Sequence, residues 1–164
     1  MIGIIGAMEE EVEILKSSIE NRETIQIAHV IFYKGNIEDK QVVLAQSGIG
    51  KVNAAITATL LINEFKPDLI INTGSAGSVD SELNIGDIII SNKVYYHDVN
   101  ATAFGYKLGQ VPSMPEFYET DNELIDLAKS SIEQLDLNGI VGEVATGDSF
   151  IGSINQRKVI KSNF

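Results

Sequence analysis

Apolar residues fall in short blocks along this chain, and the blocks alternate between the period of a strand and the period of a helix. Ile2 to Ile5 is interrupted only by Gly3 and opens into Gly6-Ala7-Met8-Glu9-Glu10-Glu11. Leu69-Ile70-Ile71 opens in the same way into Asn72-Thr73-Gly74-Ser75-Ala76-Gly77. Gly139 to Thr146 runs into Gly147-Asp148-Ser149-Phe150. Apolar β-branched runs that end in glycine mark buried strands of an α/β sheet. Ligands of such sheets bind outside the carboxyl ends of the strands.

Between these runs the spacing is helical. Val12, Leu15 and Ile19 predict a helix over Glu9–Ile19, with its acidic residues in the first turn, where the macrodipole favours them. A long Ala-, Leu- and Ile-rich helix is predicted from Lys51 to about Phe65, stopped by Lys66-Pro67. A third, capped by Thr120 or Asp121, carries Leu124, Ala128, Ile132 and Leu135 on one face. Ile25–Tyr33 and Lys40–Ala45 read as two strands joined by a hairpin-type connection through Gly35 to Asp39. Another strand is predicted from Asp87 to about Tyr95, and the last residues read as helical. Tyr96 to Tyr118 shows no period, and an irregular segment of this length is usually functional. The whole predicts one α/β domain over residues 1–164 with a mixed sheet, built of strand–helix units and one antiparallel excursion.

Composition narrows the partners. The 164 residues suffice for a sizeable core, and 44% of them are hydrophobic, which excludes a disordered chain. A formal net charge of −11 argues against nucleic acid and against an anionic membrane surface, but leaves room for an uncharged nucleoside. With no cysteine, there is neither a disulfide framework nor a thiolate metal site. His29 and His97 are isolated, so no metal is expected, and each reads as a structural or surface histidine. No apolar stretch approaches the ~20 residues that span a bilayer, and no basic region precedes the first apolar run, so a cytoplasmic setting is expected.

Several tempting motifs fail on spacing. Ser47-Gly48-Ile49-Gly50-Lys51-Val52 lacks both the earlier glycine and the hydroxyl residue of a phosphate-binding P-loop. No G-x-G-x-x-G follows a strand, so a dinucleotide site is not indicated. Ser75 lies outside the G-x-S-x-G elbow of a nucleophilic serine, leaving its hydroxyl and the neighbouring N–H groups to hold a polar ligand. Glu9, Glu10 and Glu11 point ~100° apart on a helix, so they cannot all face one ligand: one can face the strand-end crevice while a neighbour meets water, and Glu9 and Glu10 read as solvated residues that favour the helix dipole.

Taken together, Gly3 to Glu11, Ser47 to Lys51, Asn72 to Gly77, Thr102-Ala103-Phe104-Gly105-Tyr106 and Gly147 to Ile151 resemble one family closely. It is the bacterial 5′-methylthioadenosine/S-adenosylhomocysteine nucleosidases, within the purine nucleoside phosphorylase superfamily. The resemblance runs in order along the whole chain. It implies a three-layer α/β/α sandwich around a central mixed sheet. It also implies a homodimeric, cofactor-independent hydrolase that splits the N-glycosidic bond of a thio-substituted adenosine, releasing adenine and a thioribose. By this resemblance Glu11 is the general base that activates water, and Met8 packs by the ribose and that water. Ser75 and Gly77 contact the nucleoside, and Ile49 lines the thio-substituent side. Phe150 stacks on adenine, and Ile151 offers main-chain hydrogen bonds to it. Phe104, Tyr106 and Pro112 form an apolar lid over the partner subunit's site.

The family's adenine-protonating aspartate and its ribose-binding Glu-Met-Glu segment have no counterpart here, and Asp148 does not match that aspartate. The resemblance therefore implies a C-terminally truncated copy, and the 164-residue chain alone is expected to be inactive. Two other functions compete. A phosphorylase would need cationic phosphate ligands, yet Arg22 and Arg157 are the only arginines and neither sits in a strand-end glycine turn. A non-catalytic purine-binding fragment would have no need of Glu11 as a base.

Overall fold

β1 (Ile2–Gly6) is the axis of the N-terminal half. In the computed structural model, which describes residues 1–164, it runs parallel to β4 (Lys40–Gln46) on one side and to β5 (Leu69–Asn72) on the other. The chain divides into two compact units, Met1–Ala76 and Gly77–Phe164, each with its own mixed sheet.

In the first unit the sheet order is β2-β3-β4-β1-β5, where β2 is Glu20–Ile27 and β3 is Val30–Ile37. Alternate residues of β1 and β4 point to opposite faces, and each face meets one helix. Ile4, Val42 and Leu44 pack with Val12 and Ile19, from α1 (Glu9–Ser18) and the residue that ends it. Ile5, Val43 and Ala45 pack with Leu61 of α2 (Lys51–Phe65) and with Val30 and Phe32 of β3. The Phe32 and Phe65 rings close this second layer, with centroids 5.0 Å apart. This unit is therefore an α/β/α sandwich about a mixed sheet. Its central strands are continuous apolar runs because both faces are covered. Helix α2 stops as the Lys66-Pro67 pair predicts: Lys66 turns left-handed, and its N–H donates to the Ile62 carbonyl at 3.1 Å.

The antiparallel excursion differs from the sequence expectation. The run Ile25–Tyr33 is not one strand. It is broken at Ala28-His29 into β2 and β3, which pair as a hairpin from Ile27↔Val30 onward. The turn places Ala28 at φ 53°, a conformation that alanine adopts rarely, so no glycine or asparagine marks it in the sequence. Gly35, expected in a connection, lies inside β3. A Cβ there would come within 2.4 Å of the Glu20 carbonyl oxygen, beside the slip in register between Glu20 and Glu23. Close backbone approach at an irregularity, and not a turn, requires that glycine.

The second unit has the sheet order β7-β6-β8. β6 (Ile88–Tyr96) pairs in parallel with β8 (Gly139–Thr146), and the two-residue β7 (Tyr118–Glu119) adds antiparallel. α3 (Asn122–Gln134) packs on β6 and β8. Asp121, not Thr120, is its cap, accepting from the N–H groups of Glu123 and Leu124 at 2.9 and 3.3 Å. The aperiodic segment holds one short 3-10 turn, Thr102–Phe104. α4 (Ile154–Asn163) closes the chain. No helix is long and apolar enough to cross a membrane.

Candidate active site

Because β4, β1 and β5 are adjacent and parallel, their carboxyl ends share one edge of the first sheet. Three turns leave that edge side by side. Backbone hydrogen bonds tie them together: Ser47 N–H to the Gly6 carbonyl at 2.9 Å, Gly48 N–H to Ala7 at 3.0 Å, and Thr73 N–H to Ile5 at 2.9 Å. The middle turn, Gly6-Ala7-Met8, delivers α1. Gly6 lets the helix come close, since a Cβ there would lie 2.4 Å from Val12 Cγ1, and Val12 is fully buried.

Glu11 occupies the third position of α1 and bends back over the turn. Its Oε2 accepts from the N–H groups of Ala7 at 2.9 Å and Met8 at 3.1 Å. This is the carboxylate half of a capping box, satisfying donors that the helix cannot. Its Oε1 accepts from Ser75 twice, from the backbone N–H at 2.8 Å and from the hydroxyl at 2.9 Å. One side chain thus fastens the first turn of α1 to the loop after β5. Gly74 lies flat against it, where a Cβ would sit 3.0 Å from Oε1. Glu9 and Glu10 are exposed, and Glu9 pairs with Lys16 at 3.5 Å. The helical divergence of the three glutamates therefore selects Glu11 alone for the strand-end edge.

Partial burial pushes the Glu11 carboxyl upward. The bonds from Ser75, Met8 and Ala7 outweigh it and hold the carboxyl below its ordinary value of 4.5. No charged neighbour is among the leading causes. Glu11 is ionised at neutral pH. A carboxylate offers about four lone-pair directions, and all four are engaged here. Three of the donors are backbone N–H groups fixed by the fold, and only the Ser75 hydroxyl can turn away by rotation about its own bond.

The other sequence-predicted residues fall into two groups. Met8 and Ser75 adjoin Glu11 directly, and Met8 is the residue that opens α1. Ile49 lies in the neighbouring turn between β4 and α2, 74% exposed, with its carbonyl accepting from Asn53 Nδ2 at 2.8 Å. The second unit contains Gly77, Phe104, Tyr106, Pro112, Phe150 and Ile151. There Phe104 and Pro112 are exposed, Tyr106 is half-buried, and nothing crowds Gly77. Phe150 follows the end of β8 and is 94% exposed, with Ile151 half-buried beside it. His29 is exposed and His97 packs on Gly147; no group of side chains is arranged to hold a metal ion.

Sequence reasoning missed the backbone donors of Ala7 and Met8 and the role of Gly74. The signal available was the Met8-Glu9-Glu10-Glu11 spacing, with an acidic residue three places after the start of the helix, which is half of a capping box. It also missed the contact of Asp98 with the turn that carries Phe150.

The phosphorylase superfamily's family model matches residues 1–164. A 5′-methylthioadenosine/S-adenosylhomocysteine nucleosidase of Staphylococcus carnosus (strain TM300) is 61% identical over 164 residues, covering the whole of this chain and 72% of its own length. One from Staphylococcus aureus (strain MRSA252) is 57% identical with the same coverage. Among solved structures, the Neisseria meningitidis nucleosidase in complex with methylthio-immucillin-A superposes with a TM-score of 0.97 at 40% identity, covering 99% of this chain and 71% of that one. The Colwellia psychrerythraea nucleosidase in complex with adenine gives 0.96 at 42% identity, covering 99% and 68%.

Proposed function

We infer the reaction from the family: the chain belongs to the 5′-methylthioadenosine/S-adenosylhomocysteine nucleosidases of the phosphorylase superfamily. It is an N-glycosidic hydrolase that takes a thio-substituted adenosine, releases adenine and leaves the thioribose. The observation that carries the mechanism is the Glu11 carboxylate, ionised and held by four hydrogen bonds at the carboxyl edge of three parallel strands.

A purine departs with the bonding electron pair and gains a proton from an acid other than Glu11, leaving an oxocarbenium-like sugar, as in glycoside hydrolysis. A fixed negative charge near that sugar favours the developing cation, and a carboxylate oxygen orients the attacking water and takes its proton. Four hydrogen bonds weaken Glu11 as a base but fix its position. Aiming the water is then the larger part of its task, since a water already bonding to a cationic carbon becomes acidic. The Ser75 hydroxyl occupies the lone pair that this water needs. In the reaction it turns toward ligand and leaves Oε1 free on that side.

The remaining assignments follow the family resemblance. Met8 packs beside ribose and water, Ile49 lines the thio-substituent side, and Ser75 and Gly77 contact the nucleoside. Phe150 stacks on adenine, and Ile151 contacts it through the main chain. Phe104, Tyr106 and Pro112 cover the partner subunit's site in a homodimer. The exposure of Phe104, Phe150 and Ile49 supports these roles, because apolar side chains this open are available to a ligand or a second copy.

Hydrolysis is favoured over phosphorolysis by charge. Arg22 donates to the Lys16 carbonyl at 2.8 Å, near the far end of α1 from Glu11, and Arg157 lies on exposed α4. A carboxylate stands where phosphate would need cations. Adenine release by the full-length protein is expected to proceed at the same rate in phosphate-free buffer. Strict dependence on added phosphate overturns the assignment.

The Ser75 hydroxyl is open to a second test. Ser75→Ala removes one of the bonds that lower Glu11, so the acidic limb of kcat/KM, which reports the free enzyme, moves to higher pH. The acidic limb of kcat, which reports the bound complex, moves less, because there the hydroxyl has already left Oε1. Equal displacement of both limbs contradicts the release of that hydroxyl.

A further inference from the structure

The turn that carries Phe150 is held from the side by a neighbouring strand. β6 and β8 pair in parallel as far as Tyr96↔Thr146, and the His97 N–H extends the ladder to the Thr146 carbonyl at 2.9 Å. The Asp98 side chain then bonds to the next part of the turn: its Oδ2 accepts from the Asp148 N–H at 2.9 Å. Between these two bonds lies Gly147, wrapped so closely that a Cβ would fall 2.6 Å from His97 Cε1 and Nε2 and 2.8 Å from Asp98 Cγ. At the far end of the turn, Ser153 and Gln156 form the capping box of α4, with Ser153 Oγ accepting from the Gln156 N–H at 3.2 Å. Phe150 sits between the two anchors. Its ring is exposed, and the ring–ring contacts of this unit join Tyr95, Tyr96, Phe117, Tyr118 and Phe164 instead. No aromatic neighbour orients it; the ring lies over Gly152, where a Cβ would sit 3.3 Å from Phe150 Cε1, so its direction follows the course of the turn itself.

We propose that Asp98 is a positioning residue for purine binding, fixing through the Asp148 amide and the Gly147 contact the angle at which Phe150 meets the base. The inference rests on the assignment of Phe150 to adenine. A carboxylate on a backbone N–H is a charge-assisted bond, stronger than an amide–carbonyl pair. It sets the head of a turn whose aromatic would otherwise sample several directions, and ordering that turn before the base arrives lowers the cost of binding. Stacking acts on the purine in both the bound substrate and the transition state, so its loss appears mainly in KM.

The test uses the full-length protein and adenine as the probe, with binding measured by calorimetry and turnover by adenine release. Asp98→Ala is expected to weaken adenine about tenfold and to raise KM by a similar factor, with a smaller change in kcat. Asp98→Asn keeps an acceptor oxygen and is expected to recover most of the affinity, which a purely electrostatic role would not allow. Phe150→Ala separates the two levels of the argument. If it weakens adenine while Asp98→Ala does not, the positioning role is wrong and the stacking assignment stands. If Phe150→Ala leaves adenine binding intact, the stacking assignment fails and the proposal with it. Should Asp98→Ala fail to fold, Gly147→Ala displaces the same contact and is expected to weaken adenine likewise; unchanged affinity in that variant overturns the proposal.

Discussion

Glu11→Gln in the full-length protein is expected to lower turnover by about 10²–10⁴-fold, the usual contribution of a general base, while nucleoside binding persists. The substitution is less conservative than its shape suggests. The carboxylate accepts two bonds on each oxygen, from Ala7 and Met8 on one side and from Ser75 on the other. An amide has one accepting oxygen, so its NH2 must face one of these donor pairs. Two partly buried backbone donors at the start of α1 are then left unmatched, at about 1–3 kcal/mol, or the exposed Ser75 N–H turns to water at a smaller cost. Reduced stability to denaturant should accompany the loss of adenine release.

The same substitution also removes a pH dependence. Folding lowers the Glu11 pKa, so its contribution to stability is complete above the unfolded value and is lost as pH falls through the folded one. Wild type should therefore lose more stability than the Gln variant on acidification below the ordinary carboxyl value of 4.5. Unchanged turnover in Glu11→Gln would reject the assigned role, whatever happens to stability.

Gly6→Ala is expected to damage the same site from below. The added Cβ would stand 2.4 Å from Val12 Cγ1, and Val12 is fully enclosed by Ile4, Ile19, Val42 and Leu44. The side chain cannot retreat, so the first turn of α1 must move. Overpacking of this kind costs about 1–3 kcal/mol. That turn carries Met8 and Glu11, and a displacement of about 1 Å at a catalytic group costs on the order of 10²-fold in rate. Stability by denaturant titration and adenine release should fall together. By contrast, Ala at Gly142, inside β8, meets only Ile89 Cγ2 at an ordinary contact distance of 3.8 Å and serves as the control for adding a methyl group.

The parts of the fold legible in the sequence are those dictated by local pattern. β1, β5 and β8 are apolar runs ending in small-residue turns, and the helices announce themselves by period, by a cap at Thr120 or Asp121 that the structure assigns to Asp121, and by the Lys66-Pro67 stop. Helix spacing shows that the three consecutive glutamates cannot all face one ligand, and the family resemblance is what singles out Glu11. The parts not legible depend on contacts distant in sequence or on backbone geometry without a residue signature. Ala28 turns at positive φ with no glycine to mark it. Gly35 resembles a turn residue but answers to Glu20 across a strand. β7 is two residues long and exists only because β6 accepts it. The Asp98–Asp148 bond spans fifty residues and joins two segments that carry no shared motif.

The most direct measurement is a crystal structure of the full-length protein with an uncleavable thio-substituted adenosine analogue bound. The expected result is a water at about 2.6–3.2 Å from a Glu11 carboxylate oxygen and about 3–3.5 Å from the anomeric carbon, on the face opposite the purine. A Glu11 side chain turned into bulk solvent, with no water between it and the sugar, would contradict the mechanism.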